Sequence, residues 1–255
     1  MFEARDLPAD LASVRDEHAP DAVVLDASSD FETLPGYALD DLATRADALT
    51  PTAYDPDWLP ADSPEMLQRL ASADLVVGMP GDGSVAWTRQ TDPAFVVVKP
   101  RVEGAPDDFV DFLVAEALVE LGRDLPEHFL GFFADAYPDF ASAVDADPTT
   151  TYQVALAAFD AYRGLHTRDA FESWADDRDR LHDAWRDAGD RLQPRLDDLP
   201  SEVARGTTDF ADAAELACSA VKHDLDVPTP FGALDTAAYR DHGPQYAVKW
   251  AEKLF

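Results

Sequence analysis

Asparagine is absent from this 255-residue chain, cysteine occurs once and lysine four times. Each scarcity excludes something. A single cysteine, Cys218, rules out an intrachain disulfide and a multi-cysteine zinc site. Within Ala217-Cys218-Ser219-Ala220 it reads as a small buried apolar residue of a helix. Without asparagine there is no kinase-type H-R-D-x-x-x-x-N loop. Long apolar runs are missing too: the longest span only a few residues, such as Phe95-Val96-Val97-Val98, far short of the ~18 that cross a bilayer. The opening MFEARDLPAD has neither a basic start nor an apolar stretch, so no secretory signal is expected.

Base is scarce and acid abundant. The chain has 20 Lys+Arg against 51 Asp+Glu and a net charge of -31. The acid is mostly aspartate (39 Asp, 12 Glu) and the base mostly arginine (16 Arg, 4 Lys). Acidic residues run from Glu3 to Glu252, so they form a surface and not a tail. Such a surface repels itself in dilute buffer, and the repulsion collapses at molar salt, where the Debye length is ~3 Å. Nucleic acid is excluded as a partner, because counterion release needs a basic stripe. The densest basic stretch, Arg178 to Arg195, is interleaved with Asp179, Asp183, Asp187 and Asp190, the pattern of a solvated helix face with intrahelical pairs. An anionic surface also disfavours a membrane partner. At 46% hydrophobic residues the chain is nonetheless rich enough to fold. This Asp-rich, Lys-poor composition resembles that of proteins from salt-accumulating haloarchaea, which implies a cytoplasm of concentrated salt.

The pattern predicts helices over Leu7–Glu17 and Tyr37–Leu49, and a helix start at Ser63-Pro64-Glu65. Residues 75–102 change character. Runs at Leu75–Gly78, Ser84–Arg89 and Phe95–Lys99, divided by Pro80-Gly81-Asp82-Gly83 and Thr91-Asp92-Pro93, predict a short antiparallel β-meander. Residues 107–121 predict a helix buried nearly all round, and 127–136 a second, phenylalanine-rich core helix. A helix over 152–163 is expected to end at Gly164. The periodic stripe Phe171, Trp174, Leu181, Trp185, Ala188, Leu192 is expected to be limited by Pro194 and Pro200. Helices near Phe210–His223, Leu234–Tyr239 and Tyr246–Leu254 complete the chain. The fold class is therefore α+β, mainly helical, with the meander packed on central helices and a helical C-terminal half. The polar stretch 145–151 divides residues 1–145 (helices plus meander) from 149–255 (helical), as separate domains or as one continuous domain.

Chemical motifs are few. Gly81, Gly83 and Ala86 satisfy G-x-G-x-x-A, but a strand follows where a dinucleotide site needs a helix. The six histidines form no H-E-x-x-H pattern, and no G-x-S-x-G occurs. No metal, cofactor or catalytic residue is assigned. The strand, glycine turn and strand of residues 75–120 resemble part of a protein-kinase-like amino lobe. That resemblance implies Lys99 as the phosphate-holding lysine and Glu116, 17 residues on, as its partner. The departures are the absent catalytic loop and the absent D-F-G, for which Asp209-Phe210-Ala211 is the nearest text. A structural reading of the same residues pairs a half-buried Glu116 with Lys99 or Arg101.

The sequence is also similar to an uncharacterised haloarchaeal protein family of unknown function, through Met1-Phe2-Glu3 with the acidic helices, GMPGDGSVAWTRQTDP and the closing Tyr246-Ala247-Val248-Lys249-Trp250-Ala251-Glu252. Two functional expectations follow. The first is a soluble, cytoplasmic, non-enzymatic protein acting through a protein partner or self-association. The second is a small-molecule or nucleotide site at Gly81, Gly83, Lys99 and Glu116.

Overall fold

Phe95-Val96-Val97-Val98 is buried at every position, and around this β-branched strand the first part of the chain is organised. The computed structural model describes residues 1–255. Its elements begin with β1 (Phe2–Ala4), α1 (Ala9–His18), β2 (Val23–Ala27), α2 (Gly36–Ala43), β3 (Ala48–Leu49) and α3 (Glu65–Ala71). There follow β4 (Val85–Thr88), β5 (Thr91–Asp92), β6 (Phe95–Val98), α4 (Asp107–Gly122), α5 (Phe129–Phe133) and α6 (Tyr137–Val144). Last come α7 (Pro148–Ser173), α8 (Asp179–Arg205), α9 (Phe210–Ser219) and α10 (Ala237–Ala251). With 59% helix, one small mixed sheet and a separate two-residue pairing of β3 with β5, the chain is mainly helical α+β, and its C-terminal half is helical. No helix is long and apolar enough to cross a membrane.

The chain forms two compact units. The first takes residues 1–53, 72–127 and 174–184; the second takes 54–71, 128–173 and 185–255. Residues 145–149 lie inside the second.

In the first unit the sheet order is β1-β2-β6-β4. β2 runs parallel to β6, with Val23 opposite Phe95 and Asp26 opposite Val98. β1 and β4 lie antiparallel on either side. The sheet is thus mixed, and the expected meander reduces to the β4–β6 hairpin. Leu75–Gly78 is not a strand: the Val76 carbonyl accepts from the Gln90 side chain (2.9 Å) and the Val77 carbonyl from the Leu34 N–H (2.9 Å). β2 takes the place beside β6, a parallel pairing that needs a distant crossover and leaves no local turn signal. Helix α4 packs on β4, β6 and α1. Phe2, Leu25, Leu34, Leu42, Phe95 and Val97 share one core cluster.

The second unit is built on aromatic helix contacts. Phe129 meets Tyr137 and Tyr152 at ring separations of 5.3 and 5.4 Å, and Phe133 meets Phe140 at 4.6 Å. These rings are core, as the pattern predicts. Three helix boundaries differ from expectation. α2 stops at Ala43, because residues 48–49 pair with β5 as a two-residue strand. α7 continues through Gly164, where an added Cβ would stand 2.8 Å from the Lys222 backbone nitrogen; this glycine serves close approach and not termination. α8 continues through Pro194 and Pro200, with Leu196 and Leu199 buried in the same stretch.

Candidate functional site

The glycine turn stands beside the carboxyl end of the parallel β2–β6 pair, where open sheets that contain parallel strands place ligands. Lys99 leaves β6 there and is fully buried. Gly78, Gly81 and Gly83 all take left-handed φ values, 80°, 85° and 78°. At Gly78 a side chain is excluded, since a Cβ would lie 2.6 Å from the Glu32 carbonyl oxygen. The turn folds Asp82 inward. Its carboxylate accepts the Met79 N–H (2.9 Å) and a short contact from the Lys99 ammonium. Lys99 also donates to the Gly83 carbonyl (2.9 Å) and stands 4.9 Å over the Phe31 ring. Burial pushes the Asp82 carboxyl up to about 6, against the downward pull of Lys99.

The structure therefore brings together Gly83 and Lys99, with Gly81 in the same turn, but closes them on Asp82. Glu116 is half-buried on α4 and does not hold Lys99. Arg101 is also engaged elsewhere, with Asp30 (2.8 Å), Glu32 (2.8 Å) and the Phe31 carbonyl (2.9 Å). The expected ion pair of Glu116 with either cation is replaced by these loop acids. Asp82 was legible in one respect: it stands between two glycines, so the turn that frees the backbone also aims its carboxylate.

A second polar cluster escaped sequence reasoning. Gln90 is buried and donates to Glu127 (2.8 Å) and to the Val76 carbonyl, while accepting the Thr52 N–H (3.0 Å). Glu127 also accepts the Arg89 N–H (3.1 Å). Burial raises the Glu127 carboxyl to about 7, although the Arg89 N–H, the Gln90 amide and the Thr88 side chain all favour its charged form. Nearby Glu120, buried on α4, accepts the Trp87 indole N–H (2.7 Å). The available signal was a carboxylate inside an otherwise apolar stretch of α4, Ala117-Leu118-Val119-Glu120-Leu121.

A cleft of about 450 Å³ lies where α1 and α4 end, lined among others by His18, Asp21, Arg89 and Arg123. Arg89 donates to the Arg123 carbonyl (3.0 Å) and reaches those of Leu121 and Glu120, capping the negative end of α4. Its charge serves the helix. No group of three or more His, Cys, Asp or Glu side chains is placed to hold a metal ion.

Across residues 1–255 the sequence matches a family described as "Family of unknown function (DUF7089)". The chain belongs to the DUF7089 family. No curated protein and no solved structure matches it. The geometry of this DUF7089 chain must therefore be read from its own residues: a self-closed lysine turn, a buried carboxyl network and a capped cleft.

Proposed function

We propose that this DUF7089 protein is a soluble, cytoplasmic, salt-adapted protein of haloarchaeal type that acts without catalysis, by associating with a protein partner or with copies of itself. The observation that carries the reading is the closure of Lys99 on Asp82. A carboxylate from the chain occupies the position an anionic ligand would take, and the lysine is fully buried behind it. The surplus of acid supports the salt requirement, since a net charge of -31 opposes compaction until electrolyte screens it. For association, the first unit exposes Tyr37 and Met1 at 63% and 39%. The Met1 amino group lies 3.5 Å from Asp41, which is one helical turn from Tyr37 on α2.

The competing reading, a nucleotide or small-molecule site at Gly81, Gly83, Lys99 and Glu116, is favoured by the position of the turn at the end of the parallel strands. One experiment separates them. Thermal melts and sedimentation velocity at 0.2, 1 and 3 M KCl, with and without ATP, are expected to give a melting temperature that rises with salt, no gain from ATP, and assembly weakened by Tyr37→Asp. Cooperative melting in dilute buffer with no gain from KCl refutes the salt adaptation. A melting temperature raised by ATP selects the competing site.

A further inference from the structure

The second unit contains a cavity of about 350 Å³, at the low end of the ~300–1,000 Å³ typical of ligand pockets. It forms where residues 60–64, helix α6 and the start of α7 come together. Pro60, Pro64, Pro138 and Pro148 give it rigid walls. Its polar lining is Ser63, Tyr137, Ser142, Thr151, Asp62 and Asp145.

Two of these side chains are more than nine-tenths buried and have no hydrogen-bond partner in the protein. Tyr137 is 2% exposed and Ser63 7% exposed, and both residues line the cavity. The Tyr137 ring is clamped between Phe129 and Phe133, at 5.3 and 5.8 Å, which fixes where its oxygen stands. Neither hydroxyl oxygen counts among the buried polar atoms that lack a partner, so solvent reaches both, and a polar occupant of the cavity would take the place of that water. Thr151 differs, since its hydroxyl already reaches the Ala146 carbonyl (3.4 Å).

Charge selects the occupant. The lining holds the carboxylates of Asp62 and Asp145, both exposed, and no lysine, arginine or histidine. Burial first, and then the charge of Asp62, raises the proton affinity of the Tyr137 phenol, so it stays neutral and keeps its oxygen lone pairs available. Anions are disfavoured by the acids, and a bare divalent ion would need more carboxylate than is gathered here. An ammonium carries three N–H donors and one positive charge, and the cavity offers two free hydroxyl oxygens and a carboxylate at its mouth.

We propose that the second unit binds a small organic ammonium ion in this cavity, its N–H groups donated to Tyr137 Oη and Ser63 Oγ, its charge met by Asp62, and its alkyl part laid against the prolines. This site stands independently of the protein-association reading. The test is calorimetric titration of the full-length protein in amine-free phosphate buffer with 2 M KCl, using n-butylammonium chloride, 1-butanol, sodium butyrate and glycerol as probes. Saturable binding is expected for n-butylammonium alone. Tyr137→Phe, which keeps the ring packing, and Asp62→Asn, at an exposed position, should each weaken it roughly tenfold. Thermal melts of both variants confirm that they fold. Absence of binding, equal binding of 1-butanol or glycerol, binding of butyrate, or unchanged affinity in Tyr137→Phe overturns the assignment.

Discussion

Glu127 carries a cost that can be read as a pH dependence of stability. An ordinary glutamate carboxyl loses its proton near 4.5, and burial moves this one to about 7. At ~1.4 kcal/mol for each tenfold in proton affinity, the gap amounts to about 3 kcal/mol. The sign follows from which state holds the proton more tightly. Here the folded state does, so the contribution is complete below pH 4.5 and is lost as pH climbs through 7. Glu127→Gln removes the titration. Its amide oxygen can still accept the Arg89 N–H, but its amide nitrogen faces the Gln90 donor, which costs about 1 kcal/mol. The variant is therefore expected to be about 1 kcal/mol less stable than wild type at pH 4.5 and about 2 kcal/mol more stable at pH 8. The assay is urea unfolding across pH 4.5–8 in 2 M KCl, read as the difference between the two proteins. His128 and His223, held down to about 4 and about 3 by burial, act in the opposite direction. Asp82, raised to about 6, acts in the same direction. All three cancel in the difference. A difference that stays flat across this range refutes the reasoning.

Two further substitutions test the packing and the ion pairs. Gly164→Ala gains helix propensity but drives a Cβ to 2.8 Å from one backbone atom of Lys222 and 3.1 Å from another, so it is expected to lower stability by about 1–3 kcal/mol in urea unfolding. Gly36→Ala, whose Cβ meets nothing within 4 Å, is its control and should be near neutral. Arg180 binds Asp10 (2.9 Å), Asp108 (2.7 Å) and the buried Asp111 (2.8 Å), with about a third of its own side chain exposed. Arg180→Met is expected to cost about 1–3 kcal/mol after allowance for solvent screening. Arg180 holds the Asp10 carboxyl below its ordinary range, so that stability is present above pH 4 and is lost as pH falls. The variant's acid limb should be correspondingly flatter, and an unchanged limb counts against the bridge.

What the sequence disclosed and what it hid divide along one physical line. Periodicity and composition are local, so the buried α4, the aromatic helices, the hairpin of β4 and β6 and the helical second half were all legible. Parallel pairing of β2 with β6 depends on segments far apart in the chain and was not. Glycine and proline misled wherever tertiary contact overrode their usual meaning: Gly164 admits the Lys222 backbone, and Pro194 and Pro200 stay within α8. The candidate site was half legible for the same reason. Gly81, Gly83 and Lys99 are where the turn pattern puts them, but the partner of Lys99 is set by which carboxylate the folded turn points inward.

The arginines follow the same division between local and distant contacts. The interleaved stretch from Arg178 suggested pairs within its own helix, and Arg191 with Asp187 is such a pair. Arg178 and Arg180 instead reach Ser13, Glu17 and Asp10, on the first helix of the chain. Arg101 likewise holds Asp30 and Glu32. In a chain with so little base, a cation within one helix adds only a few tenths of a kcal/mol, whereas one that bridges distant segments also offsets the desolvation of a buried acid such as Asp111. Where acid is everywhere, the choice of partner follows reach as well as burial: Asp82 and Asp111, which lose water, hold Lys99 and Arg180, while Arg101 and Arg178 tie distant segments together through the half-exposed Asp30, Glu32 and Glu17.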